Sequence, residues 1–453
     1  MGRKNRKRPP EGEFEIDIEN LSHDGRGVAH LDGKTLFLPG ALAGERVRFR
    51  YSVRHRRFDL GSVLEVLRPS PDRVEPRCPH VAVCGGCSLQ HQRVEAQIRD
   101  KQQALLEAFK RIGKLEPEQI LPPLIPADHW GYRKKARLGV KWVEKKGRVL
   151  VGFREQGRGL IADIGSCAVL DPRVGQRLQA LSELIGGLSV RDRIAQIEVA
   201  IGDDGADSRP VLVLRNLAPL SPADLASLSA FGQQHGLRLG LQPGGVDSIH
   251  ALDEGENPNR DWGLNYSIPE ADVRIAFQPA DFTQVNSDIN RQMIAQALAL
   301  LDPGPQDQVL DLFCGLGNFS LPLARRSAQV VGVEGDEGLV ARARQNALAN
   351  GISNAEFYSA NLYEPLQPAP WLSQRFSKAL LDPPRSGAAE VLELLPRLGV
   401  ERLLYVSCYP ATLARDAGIL VQQLGYRLHS AGVMDMFPHT AHVESIALFH
   451  RES

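Results

Sequence analysis

The residue in this sequence best suited to making and breaking a covalent bond is Cys408, in Leu404-Tyr405-Val406-Ser407-Cys408-Tyr409-Pro410-Ala411-Thr412. It follows an apolar run and precedes a helix expected to start near Pro410 or Ala411. A helix N-terminus lowers a thiol's pKa and favours the attacking thiolate. A buried structural cysteine is the plainer alternative, and the polar neighbours and strand-end position count against it. Further along, Phe437-Pro438-His439-Thr440-Ala441-His442-Val443-Glu444-Ser445 gathers two imidazoles and a carboxylate. His-x-x-His-x-Glu matches no zinc signature. Glu444 therefore reads as a general base, and His439 and His442 as groups that orient or contact the substrate.

A second set consists of thiols. Cys78, Cys84 and Cys87 form Cys-x5-Cys-x2-Cys, and Cys167 stands far off in sequence. Nothing points to secretion, so disulfides are not expected. Clustered cysteines in such a chain are more often metal or cluster ligands. Four thiolates could hold zinc or a [4Fe–4S] cluster, and spacing alone leaves both open. Either would staple the Pro76–His91 loop to the region around Cys167.

A third set reads as a cofactor site. In Asp311-Leu312-Phe313-Cys314-Gly315-Leu316-Gly317-Asn318-Phe319, the two glycines allow a tight turn and close approach to a ligand. Glu334 ends the next strand-like run, where a carboxylate can grip both ribose hydroxyls. A dinucleotide pattern would need a third glycine, and Phe319 and Ser320 stand there instead. The spacing suits an adenosyl ligand without a pyrophosphate. In Leu381-Asp382-Pro383-Pro384-Arg385-Ser386-Gly387 the prolines fix a rigid loop, holding Asp382 over the cofactor or the target.

These residues need elements to position them. Strand-like runs at 308–313, 329–334, 379–382 and 402–407 alternate with helical patterns, as in a doubly wound parallel sheet. Such a sheet binds ligands at the carboxyl ends of its strands, where the cofactor turn and Cys408 fall. From Phe14 to about Arg68 short strands alternate with turns, and Asp24-Gly25-Arg26-Gly27 and Asp32-Gly33-Lys34 are hairpin signals. Along 46–56, period two puts Arg46, Arg48, Arg50, Arg54 and Arg56 on one face and Val47, Phe49, Tyr51 and Val53 on the other. An outward arginine stripe suits phosphate. Residues 94–111 read as a helix, 117–126 as a proline-rich joint, and 132–279 as a mixed β-rich region.

Composition sets limits. The 453 residues suggest two to four domains, and the 43% apolar content supports a sizeable core. No apolar run approaches the ~20 residues of a membrane span. The basic N-terminus lacks the apolar core of a signal peptide, so a cytoplasmic protein is expected. Acidic and basic residues number 54 each, so any polyanion must be met by a local basic surface.

Together these residues resemble the RNA uracil-C5 methyltransferase family, most closely the branch acting on 23S ribosomal RNA, over essentially the whole chain after the basic tail. The resemblance implies an α/β fold: a C-terminal Rossmann-like class I S-adenosylmethionine methyltransferase domain, preceded by an OB-like TRAM barrel and a mixed β-rich central domain. The implied division is a basic tail at 1–13, the RNA-binding TRAM barrel at 14–70, the central domain at 71–279 and the catalytic domain at 280–453, with the 94–111 helix packed on the last. It implies Cys78, Cys84, Cys87 and Cys167 as [4Fe–4S] ligands, in preference to zinc. It implies Gln284, Phe313, Asn318, Glu334, Asn361 and Asp382 as contacts of S-adenosylmethionine, Cys408 as nucleophile and Glu444 as base. The implied partner is 23S ribosomal RNA, met by a monomer. Tyr409 departs from the family, which usually has Asn there.

The implied mechanism also follows from chemistry. Uracil C5 is a poor nucleophile until a thiolate adds at C6 and makes an enolate. The base must be unstacked to be reached. One rival is a tRNA uracil-C5 methyltransferase, which the barrel and cysteine set argue against. A cytosine-C5 enzyme would show a cysteine in the Asp382-Pro383-Pro384 loop. A radical methylase would show Cys-x3-Cys-x2-Cys. A non-catalytic RNA-binding factor would have lost the turn or the nucleophile.

Overall fold

The strand-like runs near the C-terminus carry apolar side chains on both faces, which a strand affords only when both faces are covered. The computed structural model describes residues 10–203, 209–252 and 262–451; the first nine residues of the expected tail lie outside the described residues. Its C-terminal sheet runs Ala355–Ser359, Gln329–Glu334, Gln308–Leu312, Lys378–Leu381, Arg402–Ser407, Glu444–Arg451, Tyr426–Met434, Gln119–Ile120. Along these strands Val309, Leu380, Leu404 and Val406 enter one apolar core, while Leu310, Leu381, Leu403 and Tyr405 enter another. Helices Ser287–Leu301 and Glu337–Ala349 contribute Met293 and Ala343 to the first core. Helices Pro410–Gln423 and Val94–Ala108 contribute Leu413 and Leu105 to the second.

Two features of this sheet position the site. The chain runs outward through Gln329–Glu334 to Ala355–Ser359, then returns to the other side of Gln308–Leu312. That reversal opens a crevice at the carboxyl ends of the central strands. In addition, Glu444–Arg451 is antiparallel to both of its neighbours. Its first residue therefore arrives at the edge where the parallel strands finish.

The N-terminal sheet is six-stranded, in the order Phe14–Asp17, Arg46–Arg54, Phe58–Arg68, Lys34–Leu38, Gly27–Leu31, Asn20–Leu21. Asp32 and Gly33 both take positive φ, 52° and 73°, as a two-residue hairpin turn of matching twist demands. Val47 and Phe49 are fully buried with Leu36 and Leu38. The arginine stripe is present but shorter and less free than period two implies. Register shifts interrupt the strand between Tyr51 and Val53, and it ends at Arg54, leaving Arg56 in the turn beyond. The strand Phe14–Asp17 pairs alongside and supplies acids to the stripe. Arg46 meets Glu15 and Asp17, Arg48 meets Glu15 and Glu65, and Arg50 meets Glu13. The stripe is largely neutralised by its own neighbour.

Between the two lies a mixed six-stranded sheet ordered His250–Ala251, Arg238–Leu241, Val211–Asn216, Ile194–Ala200, Lys135–Val143, Arg148–Gly152, with helices Leu178–Gly187 and Pro222–His235 in its core. Helix Val94–Ala108 belongs by packing to the C-terminal sheet. On its inner face Lys101 makes a buried ion pair with Asp435, 2.6 Å apart, with side chains 2% and 1% exposed. Removing either partner alone would strand a buried charge, a loss of roughly 3–5 kcal/mol. Among the described residues no helix is long and apolar enough to cross a membrane.

Candidate functional site

Five of the residues singled out in the sequence stand at the carboxyl ends of five neighbouring parallel strands. Phe313 follows Gln308–Leu312, Glu334 ends Gln329–Glu334, and Asn361 lies just past Ala355–Ser359. Asp382 follows Lys378–Leu381, and Cys408 follows Arg402–Ser407. Glu444 joins them from the antiparallel strand. The register pairs Ser407 with Ser445, and the Ser445 hydroxyl donates to the Ser407 carbonyl at 3.0 Å. Cys408 and Glu444, the next residues outward on each strand, are thus brought side by side.

The cofactor turn is built as its glycines require. Gly315 and Gly317 have φ of 53° and 88°. Phe313 also has a positive φ, 65°, which costs a side-chain-bearing residue on the order of 1–2 kcal/mol. Amide hydrogen bonds from Phe313 and Cys314 to the Val333 carbonyl, 2.8 and 3.1 Å, hold it there. Glu334 is oriented by backbone donors: Gly315 N–H on Oε2 at 3.1 Å, and Gly335 and Asp336 N–H on Oε1 at 2.7 and 3.1 Å. Oε2 retains a lone pair for a further donor. Asn318 exchanges amide hydrogen bonds with Asn290, at 3.0 and 3.1 Å, and accepts from the Tyr266 hydroxyl at 2.9 Å. Tyr266 and Asn290 line a small cavity with Gln284 and Lys134, so Asn318 is bonded to two residues of the cavity that Gln284 lines. Asn361 is exposed, its side chain accepting from the Tyr363 N–H.

The electrostatics of the crevice are dominated by burial. Asp311, beneath the turn, accepts from the Ser320 hydroxyl and is pushed up to about 7 by desolvation, with Asp382 and Glu334 adding repulsion. Burial also raises Asp382 to about 7. Glu444 is buried, and desolvation together with Asp382 lifts it well above the usual carboxyl range, while Arg385 pulls it back. Cys408 differs from the expectation of a depressed thiol. Desolvation first, then Glu444, push it up to about 11, and Arg385 is the counterweight. The helix Pro410–Gln423 begins beyond it, with Tyr409 at the N-cap and no side-chain cap. An Asn there, the residue expected of the family, could cap the helix for about 1 kcal/mol. At neutral pH a Cys408 raised in this way rests as a thiol.

Arg385 is the functional residue that the sequence reading passed over. Its guanidinium donates to His442 Nδ1 at 3.0 Å, and it is the cation facing both Cys408 and Glu444. Because a guanidinium only donates, His442 is neutral with its proton on Nε2. The signal was present in Asp382-Pro383-Pro384-Arg385: a charged residue at the end of a proline-fixed loop. His439 lies deeper than His442. It is buried at a φ of 66° and stacks on Trp130 with ring centroids 3.9 Å apart.

The structure brings the four cysteines together. Cys78, Cys84, Cys87 and Cys167 line one cavity with His80, Gln90 and Phe153. Burial raises the Cys84 thiol to about 11 and Cys87 to about 12, and Cys167 upward as well, each repelled further by the others. Thiols crowded in this way become thiolates only when a cation displaces their protons. Among the described residues no three His, Cys, Asp or Glu side chains converge as a single metal ion requires.

The family profile described as tRNA (Uracil-5-)-methyltransferase matches residues 265–452, and that of the TRAM domain matches residues 12–50. The chain is 55% identical to the 23S rRNA (uracil(1939)-C(5))-methyltransferase RlmD of Alkalilimnicola ehrlichii, over 100% of both chains. It is 52% identical to the RlmD of Methylococcus capsulatus, again over 100% of both. Among solved structures, the Pyrococcus abyssi tRNA (uracil-54, C5)-methyltransferase, in complex with S-adenosyl-L-homocysteine, aligns with a TM-score of 0.71 at 24% identity. It covers 96% of this chain and 99% of its own. A tRNA enzyme therefore shares the whole architecture, and the barrel and central region do not by themselves separate the two substrate classes.

The raised Cys408 thiol gives a direct expectation. Iodoacetamide should label Cys408 slowly at pH 8, with a rate that climbs through about pH 11. Glu444→Gln should move that profile to lower pH and Arg385→Ala to higher pH, read by mass spectrometry of the Cys408 peptide. A profile centred near pH 8 would contradict the assignment.

Proposed function

The chain belongs to the RNA (uracil-C5)-methyltransferase family, in its RlmD branch, and on that premise we propose that it methylates carbon 5 of one uracil in 23S ribosomal RNA. The observation that carries this reading is the pairing of Ser407 with Ser445, which sets a thiol and a carboxyl at adjacent strand ends beside the cofactor crevice. The relatives' names specify uracil 1939, and that is the uracil proposed. The work is done in the cytoplasm.

S-adenosylmethionine supplies the methyl group when bound. The residues present fit it: Glu334, fixed by three backbone donors, keeps a lone pair on Oε2 for a ribose hydroxyl, and Phe313, Asn361 and Asp382 stand at the same strand ends. Gln284 and Asn318 are proposed as further contacts of the cofactor. Cys408 Sγ, its proton released to solvent, adds as the thiolate to uracil C6, and the C5–C6 π pair moves onto C5 and O4. C5 then takes the methyl carbon, whose bond to sulfur breaks. Glu444 removes the proton from C5, the C5–C6 double bond re-forms, and the Cys408 thiolate leaves. Arg385, facing both groups, offsets the negative charge that this sequence places among them.

A [4Fe–4S] cluster is proposed on Cys78, Cys84, Cys87 and Cys167. Four thiols lining one cavity are the donor set that either zinc or a cluster would use, and the family resemblance is the ground for preferring the cluster. The group would supply the positive charge that buried thiolates require and tie the 78–87 loop to Cys167. A transfer-RNA substrate is the second reading, favoured by the shared architecture. Full-length identity of 55% to an rRNA enzyme, against 24% to the tRNA enzyme, favours ribosomal RNA.

Two measurements test these assignments. Mapping 5-methyluridine in a strain lacking this chain should show its loss at one 23S position, restored by the wild-type chain and not by Cys408→Ala; unchanged 23S RNA with altered tRNA would transfer the assignment to tRNA. Anaerobically purified protein should be brown and contain iron and sulfide, with both lost in Cys87→Ser. A colourless, zinc-bearing protein would rule out the cluster.

A further inference from the structure

The segment that carries Glu444 into the crevice has no regular structure of its own between the strands Tyr426–Met434 and Glu444–Arg451. Its backbone groups are satisfied from a part of the chain more than 300 residues earlier, chiefly by helix Val94–Ala108 and the loop before it. Gln97, fully buried on that helix, accepts the His439 N–H on Oε1 at 2.8 Å. Its amide nitrogen donates back to the carbonyls of Leu89 and Gln92, at 3.0 and 2.7 Å. One turn along, Lys101 donates to the Phe437 carbonyl at 3.1 Å and pairs with Asp435. The His439 carbonyl accepts from the N–H groups of Ser88 and Leu89, at 3.0 and 2.9 Å, and the Ser88 hydroxyl accepts from Ala441 N–H at 3.0 Å.

A residue with a side chain pays to sit at a positive φ and does so only where its surroundings over-determine it. His439 is over-determined in this sense: N–H, carbonyl and ring are each engaged. Side chains at i and i+4 share a helix face, so Gln97 and Lys101 form a rigid jaw. Both are polar groups at positions where an amphipathic helix would ordinarily place apolar ones. An apolar Gln97 would take away the side-chain partner of the His439 N–H and of the Gln92 carbonyl, while the Leu89 carbonyl would keep the Gln92 N–H.

We propose that Gln97, seconded by Lys101 and Ser88, is a positioning residue for the general base: it fixes His439 and thereby the approach of Glu444 to uracil C5. This rests on reading Glu444 as the base and adds where its aim comes from. Glu444 acts after the adduct has formed, so misaiming it should slow resolution of the adduct rather than its formation. A merely structural role would lower all steps together or weaken RNA binding.

The test uses full-length protein, S-adenosylmethionine and the 23S substrate RNA, with Gln97→Met as a shape-preserving change and Glu444→Gln as the reference. Glu444→Gln should accumulate a denaturant-stable protein–RNA adduct. Gln97→Met should do so partially, with kcat lowered roughly 10- to 100-fold by misplacement and the KM for RNA held within about twofold. Unchanged cofactor affinity would report that the crevice is intact. Should Gln97→Met fail to fold, Ser88→Ala, at a partly exposed side chain, carries the same readouts with a smaller fall in kcat. Wild-type turnover without adduct, or slow turnover without adduct, in the folded variant overturns the inference while Glu444→Gln still traps RNA. If Glu444→Gln traps nothing, the reading of the base itself falls, and the inference with it.

Discussion

A thiol and a carboxyl held together away from water disfavour each other's ionisation, and much of this molecule is arranged around that pair. Burial raises both groups, Glu444 adds to the rise at Cys408, and Asp382 adds to the rise at Glu444. One guanidinium, on Arg385, is the counterweight. A thiol raised in this way resists adventitious alkylation and oxidation, both of which need the thiolate. The same desolvation strengthens every charge interaction once water is excluded from the crevice.

The fold brings the pair together by one reversal of direction. Five parallel strands deliver Phe313, Glu334, Asn361, Asp382 and Cys408 to a common edge, because the carboxyl ends of parallel strands coincide. A sixth parallel strand could not have placed Glu444 next to Cys408 at its own start. The antiparallel Glu444–Arg451 does so, at the cost of a loop that must be aimed from outside the sheet. That loop meets three regions at once: the barrel turn at Gly25, where a Cβ would lie 3.1 Å from Ala441, the Ser88–Leu89 step just after Cys87, and helix Val94–Ala108. The barrel, the cysteine loop and the strand that begins at Glu444 thus share one junction.

Much of this was legible in the sequence. The parallel strands and the glycine turn were readable because apolar runs and positive-φ glycines are local signals, and the Asp32-Gly33 hairpin for the same reason. The arginine stripe was readable as a periodicity, but its partners were not, since Glu13, Glu15 and Asp17 reach it only through strand pairing. The Cys408 thiol was misjudged for a related cause: the helix start is local, whereas the opposing terms, burial and Glu444, arise from tertiary contact. The burial of His439 was not legible, because an imidazole in a polar loop usually faces solvent. Its partners Gln97 and Trp130 lie more than 300 positions away, beyond any reading of local pattern.

The central claim, a temporary bond from Cys408 to uracil C6, is tested most directly with substrate RNA carrying 5-fluorouridine at the target. Fluorine at C5 cannot be removed as a proton, so methyl transfer should halt at the adduct. The account predicts a one-to-one covalent complex formed only with S-adenosylmethionine present, with digestion leaving the nucleotide on the peptide that contains Cys408. A complex mapped to another residue, or none with protein that methylates ordinary RNA, would contradict it.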